Sequence, residues 1–324
     1  MKYSITIPAY KATYFEECIA SVLNQTYSDY EIIILNDCSP EGLKDIVNSF
    51  SSHPNFIKIR YYENEKNVGA IDVVDNWNKL LELAKGEFVI CMGDDDKLAS
   101  DCLEQYNTLM DKYPNLDIYH ARTYIINEQS ELIDIQEARP DWESSYSIVW
   151  HMFRGHRRQY IGDYLFRREK LIEEGGFYPL PMARGSDWIT GIICSKEKGI
   201  ANGQKPTFYY RESSRTITSA TDGEVLVDAD IKLRKWILNY LEAKPNDDLE
   251  QEYRKILLPI IPDNLNTVLV KNIARDIGFS SVRKWFYWKG KRSKYGISTK
   301  QFHKITFFSF LYFLKRITGI SSIF

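Results

Sequence analysis

Nothing in this chain approaches the ~20 consecutive apolar residues that a bilayer-spanning helix needs. Its longest apolar stretch, Ile305 to Leu314, is about half that length. The opening residues, Met1-Lys2-Tyr3-Ser4-Ile5-Thr6-Ile7-Pro8, are too few and too polar for a signal peptide. Cysteine is sparse: Cys18, Cys38, Cys91, Cys102 and Cys194 make an odd count with no C-x-x-C pair. That excludes a disulfide framework and fits free thiols in a reducing compartment. No second His or Cys stands at metal-site spacing from His156, and there is no G-x-G-x-x-G after the first strand, no Walker loop and no G-x-S-x-G elbow. Acid is missing from one end. No Asp or Glu follows Asp276, whereas ten Lys or Arg lie between Arg283 and Arg316. The expectation is a cytosolic protein whose basic tail can touch the inner face of a membrane.

What is present is an ordinary globular composition, 44% hydrophobic and 27% charged over 324 residues. That length suits one large α/β domain with extra elements, or two domains. A formal net charge of -2 argues against nucleic-acid binding. Short apolar runs alternate with amphipathic stretches. Ile5-Thr6-Ile7, stopped by Pro8, reads as a strand and Phe15 to Asn24 as a helix. Glu31 to Leu35 reads as a strand and Leu43 to Phe50 as a helix. Ile57 to Tyr62 is a strand, Ala70 to Ala84 a helix, Glu87 to Met92 a strand and Leu98 to Tyr113 a helix; Leu116 to Ala121 suits another strand. This pattern predicts βαβ units and a mostly parallel sheet, whose ligands bind beyond the carboxyl ends of the strands.

After about Asp141 the alternation breaks. A strand over Gln159 to Phe166, helices over Glu169 to Glu174 and Asp187 to Glu197, and a strand over Thr207 to Arg211 are expected. From Gly223 the pattern is helical, with Pro245 and Pro262 separating the helices. The predicted organisation is residues 1–220 as a catalytic domain, split at 122 into two halves, and 221–324 as a helical region with an aromatic, basic tail.

Polar or turn-forming residues follow each of the first strands. Ala9-Tyr10, Asn36-Asp37, Asn67-Val68-Gly69 and Gly93-Asp94-Asp95-Asp96 should share one sheet edge. Three adjacent carboxylates repel one another unless neutralised, and a divalent cation bridging them to a diphosphate is a natural partner. The structural alternative is an acidic turn capping a helix near Leu98, a role that suits Asp96. Asp37 suits the imide N–H of a uracil, or else an Asx-turn or a cap for the helix after Pro40. Pro8, Ala9 and Tyr10 suit the wall of a base site, with core packing the alternative for Tyr10. Asn67 to Gly69 opens a helix, where N–H groups favour an anion. Asp187, in Arg184-Gly185-Ser186-Asp187-Trp188, either takes a proton from a hydroxyl or stabilises a first helical turn. Arg154-Gly155-His156-Arg157-Arg158 is a basic cluster that meets phosphate or is plain surface charge.

These segments, with Ser21-Val22-Leu23-Asn24-Gln25-Thr26-Tyr27, Ser39 and Gly176-Phe177, resemble the family 2 glycosyltransferases of GT-A fold over roughly residues 3 to 215. The resemblance implies single displacement, with inversion, of a sugar from a nucleotide-sugar, UDP favoured, to a saccharide or lipid-linked saccharide. By position it implies Asp37 at the base, Asp94 at the ribose or metal, Asp95 at a Mn²⁺ or Mg²⁺ ion, and Asp187 as general base. Pro8, Ala9, Tyr10, Asn67 and Gly69 would complete the donor site. Three positions depart from the family pattern: Asn36 for the first Asp of an Asp-Asp pair, Gly93 for the first Asp of Asp-x-Asp, and Ser186 for a Glu before the base. The Gln-x-x-Arg-Trp motif of processive synthases is absent, which points to addition of one sugar. A sugar nucleotidyltransferase would carry a Gly-rich loop where Ala9 to Thr13 stand, and a non-catalytic nucleotide- or glycan-binding subunit would bind without turnover. The aromatic, basic tail suits an anionic bilayer, the catalytic domain or a dimer partner.

Overall fold

The computed structural model describes residues 1–69, 71–213, 223–280 and 282–318. Strands β1 (Tyr3–Ala9), β2 (Tyr30–Asn36), β3 (Ile59–Glu63) and β4 (Phe88–Cys91) alternate with helices α1 (Phe15–Leu23), α2 (Leu43–Ser49) and α3 (Val73–Leu83). Strand β2 is buried at every position, as its unbroken apolar run requires of a strand covered on both faces. These strands pair in parallel in the order β3-β2-β1-β4.

The remainder is β5 (Lys97–Leu98), α4 (Cys102–Lys112), β6 (Ile118–Ile126), β7 (Leu132–Ile135), β8 (Trp142–Glu143), α5 (Ser145–Phe153), β9 (Tyr164–Arg167), α6 (Arg168–Glu173), α7 (Ser186–Ser195) and β10 (Ile200–Arg211). Here the sheet becomes mixed. β9 runs antiparallel to both β4 and β6, β10 runs parallel to β6, and β5 closes the far edge antiparallel to β10. The parallel half is the predicted one, and the antiparallel pairings belong to the second half.

One sheet face packs on α1, α2 and α4. The other packs on α3, α5 and α7, and the core there extends to Leu233 and Ile237 of α8 (Gly223–Tyr240) and to Leu257 and Ile261 of α9 (Asp248–Ser280). A third cluster joins the later part of α9 to α10 (Val282–Lys291) and α11 (Thr299–Thr318), centred on the fully buried Trp288. The predicted boundary at 220 lies outside the described residues.

Several local expectations need correcting. Pro8 does not stop β1. The Thr6 carbonyl accepts from Met92 N–H at 3.0 Å and the Ala9 carbonyl from Asp37 N–H at 2.9 Å. Peptide groups alternate sides, so Pro8 faces β4, whose pairing with β1 ends at Thr6 and Cys91. The missing N–H therefore forfeits no ladder bond. Likewise α9 runs through Pro259 and Pro262, because burial of Leu257 and Ile261 outweighs the local propensity. The predicted strand from Gln159 begins only at Tyr164. Ahead of it Ile161–Asp163 form a 3-10 turn in which a Cβ on Gly162 would meet Phe208 at 2.4 Å.

Candidate active site

The four strand-end loops are stitched together by hydrogen bonds. Asp94 Oδ2 accepts from the backbone N–H of Tyr10 and of Lys11, both at 2.7 Å, joining the β4 and β1 loops. Ser39 Oγ donates to the Tyr10 carbonyl at 2.6 Å, joining the β2 and β1 loops. Asp37 Oδ1 accepts from Val68 N–H at 3.0 Å, and Asn67 Nδ2 donates to the Asp37 carbonyl at 3.0 Å, joining the β2 and β3 loops. The shared edge predicted from the alternation is thus a single connected rim.

Within this rim each residue has a defined place. Asn36 ties the turn, its Oδ1 accepting from Ser39 N–H three residues on at 2.8 Å. Asp37 is buried and takes no part in capping α2, whose N-cap is Gly42. Behind it Asn64 Nδ2 donates to Asp37 Oδ1 at 2.8 Å, and Lys79 Nζ donates to Asn64 Oδ1 at 2.6 Å. Asn64 and Lys79 belong to no motif, and residue type alone does not mark them as part of the site. Tyr10 is 44% exposed and so is not core packing. Asn67 to Gly69 lie in a loop, with Gly69 at φ +79°, and α3 begins at Val73. Ala70, the predicted first residue of that helix, lies outside the described residues.

The three aspartates are not equivalent. Asp96 is buried and accepts from Arg211 N–H at 3.0 Å. It caps no helix, since α4 starts at Cys102 after the short β5. Burial pushes the Asp96 carboxyl well above the usual carboxylate range, with Asp95 adding to the effect. Asp94 is raised to about 6 by burial and then by Asp95, against the two N–H donors. Asp95 alone faces outward, with Lys11 Nζ 3.9 Å from its Oδ2. Glycine at the head of the loop gives these side chains room: a Cβ on Gly93 would meet Asp95 Oδ1 at 2.9 Å and Asp96 Oδ2 at 3.0 Å.

Among the described residues no three His, Cys, Asp or Glu converge as a closed metal cage would require. The donor set fits a more open site, in which one or two carboxylates share the ion with phosphate oxygens and water. Asp95 is the carboxylate free to take that part. Asp94 spends one oxygen on the β1 loop.

Asp187 stands in the first turn of α7, after Met182, Ala183 and Gly185 at φ +59°, +54° and +89°. Left-handed backbone at two non-glycine residues is local strain of the sort found at functional turns. The turn is held from outside. Met182 N–H donates to the Ile71 carbonyl at 2.8 Å, Arg184 Nε lies 3.2 Å from Asp230 Oδ1 on α8, and Ser186 Oγ accepts from Leu180 N–H at 3.0 Å. Burial raises the Asp187 carboxyl to about 8, helped by Asp163 and opposed by the Trp188 N–H.

The Tyr210 ring stacks on Tyr160 with centroids 3.8 Å apart, and burial followed by the charges of Asp96 and Asp95 pushes its hydroxyl up. The basic cluster, by contrast, is partly neutralised: Arg157 pairs with Glu143, and Arg158 with Asp134 and Glu137.

A sequence model described as Glycosyl transferase family 2 matches residues 4–176, which contain β1 through β9 and the whole aspartate rim. The chain belongs to that family. Among its members, EpsH of Bacillus subtilis, named as a putative glycosyltransferase, is 28% identical over 55% of this chain and 50% of its own length. The glucosyltransferase of Campylobacter jejuni named for GalNAc(5)-diNAcBac-PP-undecaprenol is 33% identical over 34% of each chain. The chain therefore spans half or less of these relatives. In structure it resembles S. aureus TarS 1-349, with a TM-score of 0.65 at 15% identity, covering 99% of this chain and 93% of that one. This likeness establishes the GT-A fold of the family member described here. A mannosyltransferase of Pyrobaculum calidifontis, solved with GDP-Man and Mn²⁺, follows at a TM-score of 0.52 and 14% identity.

Proposed function

We propose that this chain transfers one sugar, with inversion, from a nucleotide-sugar to a saccharide or lipid-linked saccharide in cell-surface polysaccharide synthesis. The observation that carries the reading is the single hydrogen-bonded rim that joins the four strand-end loops and leaves the Asp95 carboxylate facing outward beside them. Asp187, its carboxyl raised by burial to about 8, is the group suited to take a proton.

In this reading Asp37 accepts the imide N–H of the base, positioned by Asn64 and Val68. Tyr10 and the N–H-lined β1 loop flank the nucleoside. Asp95 would hold Mn²⁺ or Mg²⁺ together with the diphosphate, where the ion supplies positive charge to the leaving group. Asp187 takes the proton of the acceptor hydroxyl, and its oxygen attacks the anomeric carbon as the carbon–oxygen bond to the diphosphate breaks. UDP is the favoured nucleotide, supported by the carboxylate at the base and by the TarS structure in complex with UDP-GlcNAc.

Calorimetric titration of UDP, GDP, dTDP and CDP, with Mn²⁺ and with chelator, tests this on the wild type and on Asp95→Ala. Metal-dependent binding of one diphosphate, lost in the variant, is the expected result. No binding of any diphosphate sinks the reading.

A further inference from the structure

Helix α11 carries a surface that this catalytic reading leaves unused. Phe307, Phe310, Phe313 and Ile317 are 60%, 56%, 48% and 65% exposed. At roughly 100° per residue they fall on one side of the helix. Beside them lies a cleft of about 560 Å³ against α9, lined by Val270, Phe308 and Tyr312 together with Lys271, Lys304 and Lys315. On the same projection Lys304 and Lys315 fall between the aromatic side and the cleft.

The residues lining this cleft include three lysines and no carboxylate. The carboxylates that neutralise the region serve α10 and the turn after it: Lys284 pairs with Asp276, and Lys291 and Lys294 pair with Glu224. From Asp276 onward the sequence supplies no further acid. A second copy meeting this face symmetrically would set the lysines lining one cleft against those of the other. Among the described residues no helix is long and apolar enough to cross a bilayer. Bulky apolar groups flanked by lysines match the boundary of an anionic membrane, where rings enter the acyl edge and ammonium groups meet phosphates.

We propose that α11 docks this protein on an anionic lipid surface, with Phe307, Phe310 and Phe313 buried in it and Lys304 and Lys315 among the headgroups. The proposal is independent of donor chemistry. Co-sedimentation of the full chain with extruded vesicles tests it, using phosphatidylcholine alone and phosphatidylcholine mixed with phosphatidylglycerol. The wild type is expected to pellet with the mixed vesicles only, and less so in high salt. Lys304→Ala with Lys315→Ala weakens binding roughly fivefold per lysine removed. Phe307→Ser, Phe310→Ser and Phe313→Ser together abolish it, with an unchanged thermal melt showing that the variant is folded. If the triple variant does not fold, the lysine pair alone decides. The idea fails if the wild type stays in the supernatant with anionic vesicles, or if the lysine variant pellets as the wild type does. A lipid-free dimer that the triple variant dissolves, without vesicle binding, assigns the face to a second copy and equally overturns it.

Discussion

Arg211 holds the aspartate loop from 116 residues away, its Nε donating to the Asp95 carbonyl at 2.8 Å. Its own N–H donates to Asp96 Oδ1 at 3.0 Å. The rest of the buried guanidinium reaches the Asn127 carbonyl, Ser130 Oγ and Glu17 Oε2 at 3.0, 2.8 and 3.3 Å, and lies 4.1 Å from the Tyr14 ring centroid. A planar fork is needed to meet that many acceptors at once. Arg211→Lys is expected to cost about 2–4 kcal/mol, since it leaves buried acceptors unpaired. It should also weaken metal-dependent diphosphate binding, although Asp95 itself is intact. Urea unfolding read beside calorimetry checks both effects, and an unchanged midpoint would contradict the anchoring role.

Two neighbouring aspartates should respond in opposite ways to the same substitution. Asp94→Ala strips the acceptor from two backbone N–H groups and is expected to destabilise the fold by about 2–4 kcal/mol. Asp95→Ala removes an outward side chain and should leave stability within about 0.5 kcal/mol while abolishing metal-dependent diphosphate binding. Thermal melts of the pair decide, and equal melting temperatures would refute the division of labour.

Asp187 gives a pH signature with a definite sign. Its folded-state pKa of about 8 lies above the ordinary 3.8. The folded protein therefore keeps a proton that the unfolded chain releases between those values. The contribution to stability is complete below the lower value and declines as pH rises to the upper one. Asp187→Asn should remove that decline, leaving the variant more stable than the wild type at pH 8. The same variant should lose at least about 100-fold in kcat/KM. In the wild type kcat/KM should climb with pH and level off above about 8. Denaturant unfolding across pH, paired with initial rates, reads all three.

Asp37→Asn keeps the shape of the base site but replaces one carboxylate oxygen with a donor. A charge-assisted hydrogen bond to the imide N–H is worth about 1.5–3 kcal/mol, so UDP affinity should fall about 10- to 100-fold. CDP, which presents an acceptor at that ring position, should be less affected. A ratio of UDP to CDP affinity that stays constant would place the base elsewhere.

The first half of the site was legible because each buried strand announces its own end. The apolar run of β2 stops at Asn36, and that of β4 and Met92 stops at Gly93, so the polar residues after them had to lie at one edge. The second half rests on pairings between distant strands. β10 pairs with β5, Tyr209 against Lys97, and that pairing carries Tyr210 and Arg211 to the aspartate loop. A fully buried arginine also runs against ordinary composition rules. β7 is exposed at all of its positions and so has no alternation to detect. Nor does residue type reveal the left-handed turn at Met182 and Ala183, since neither side chain favours that region of backbone conformation.

Gly93 leaves the two following carboxylates room to crowd the head of the loop. A Cβ there would start 2.9 Å from Asp95 Oδ1 and 3.0 Å from Asp96 Oδ2. Both are side-chain ends, so a larger residue at 93 is met by their rotation and leaves the backbone in place. Residue 93 therefore acts as an aiming screw for Asp95: its size sets where the negative charge at the rim is pointed.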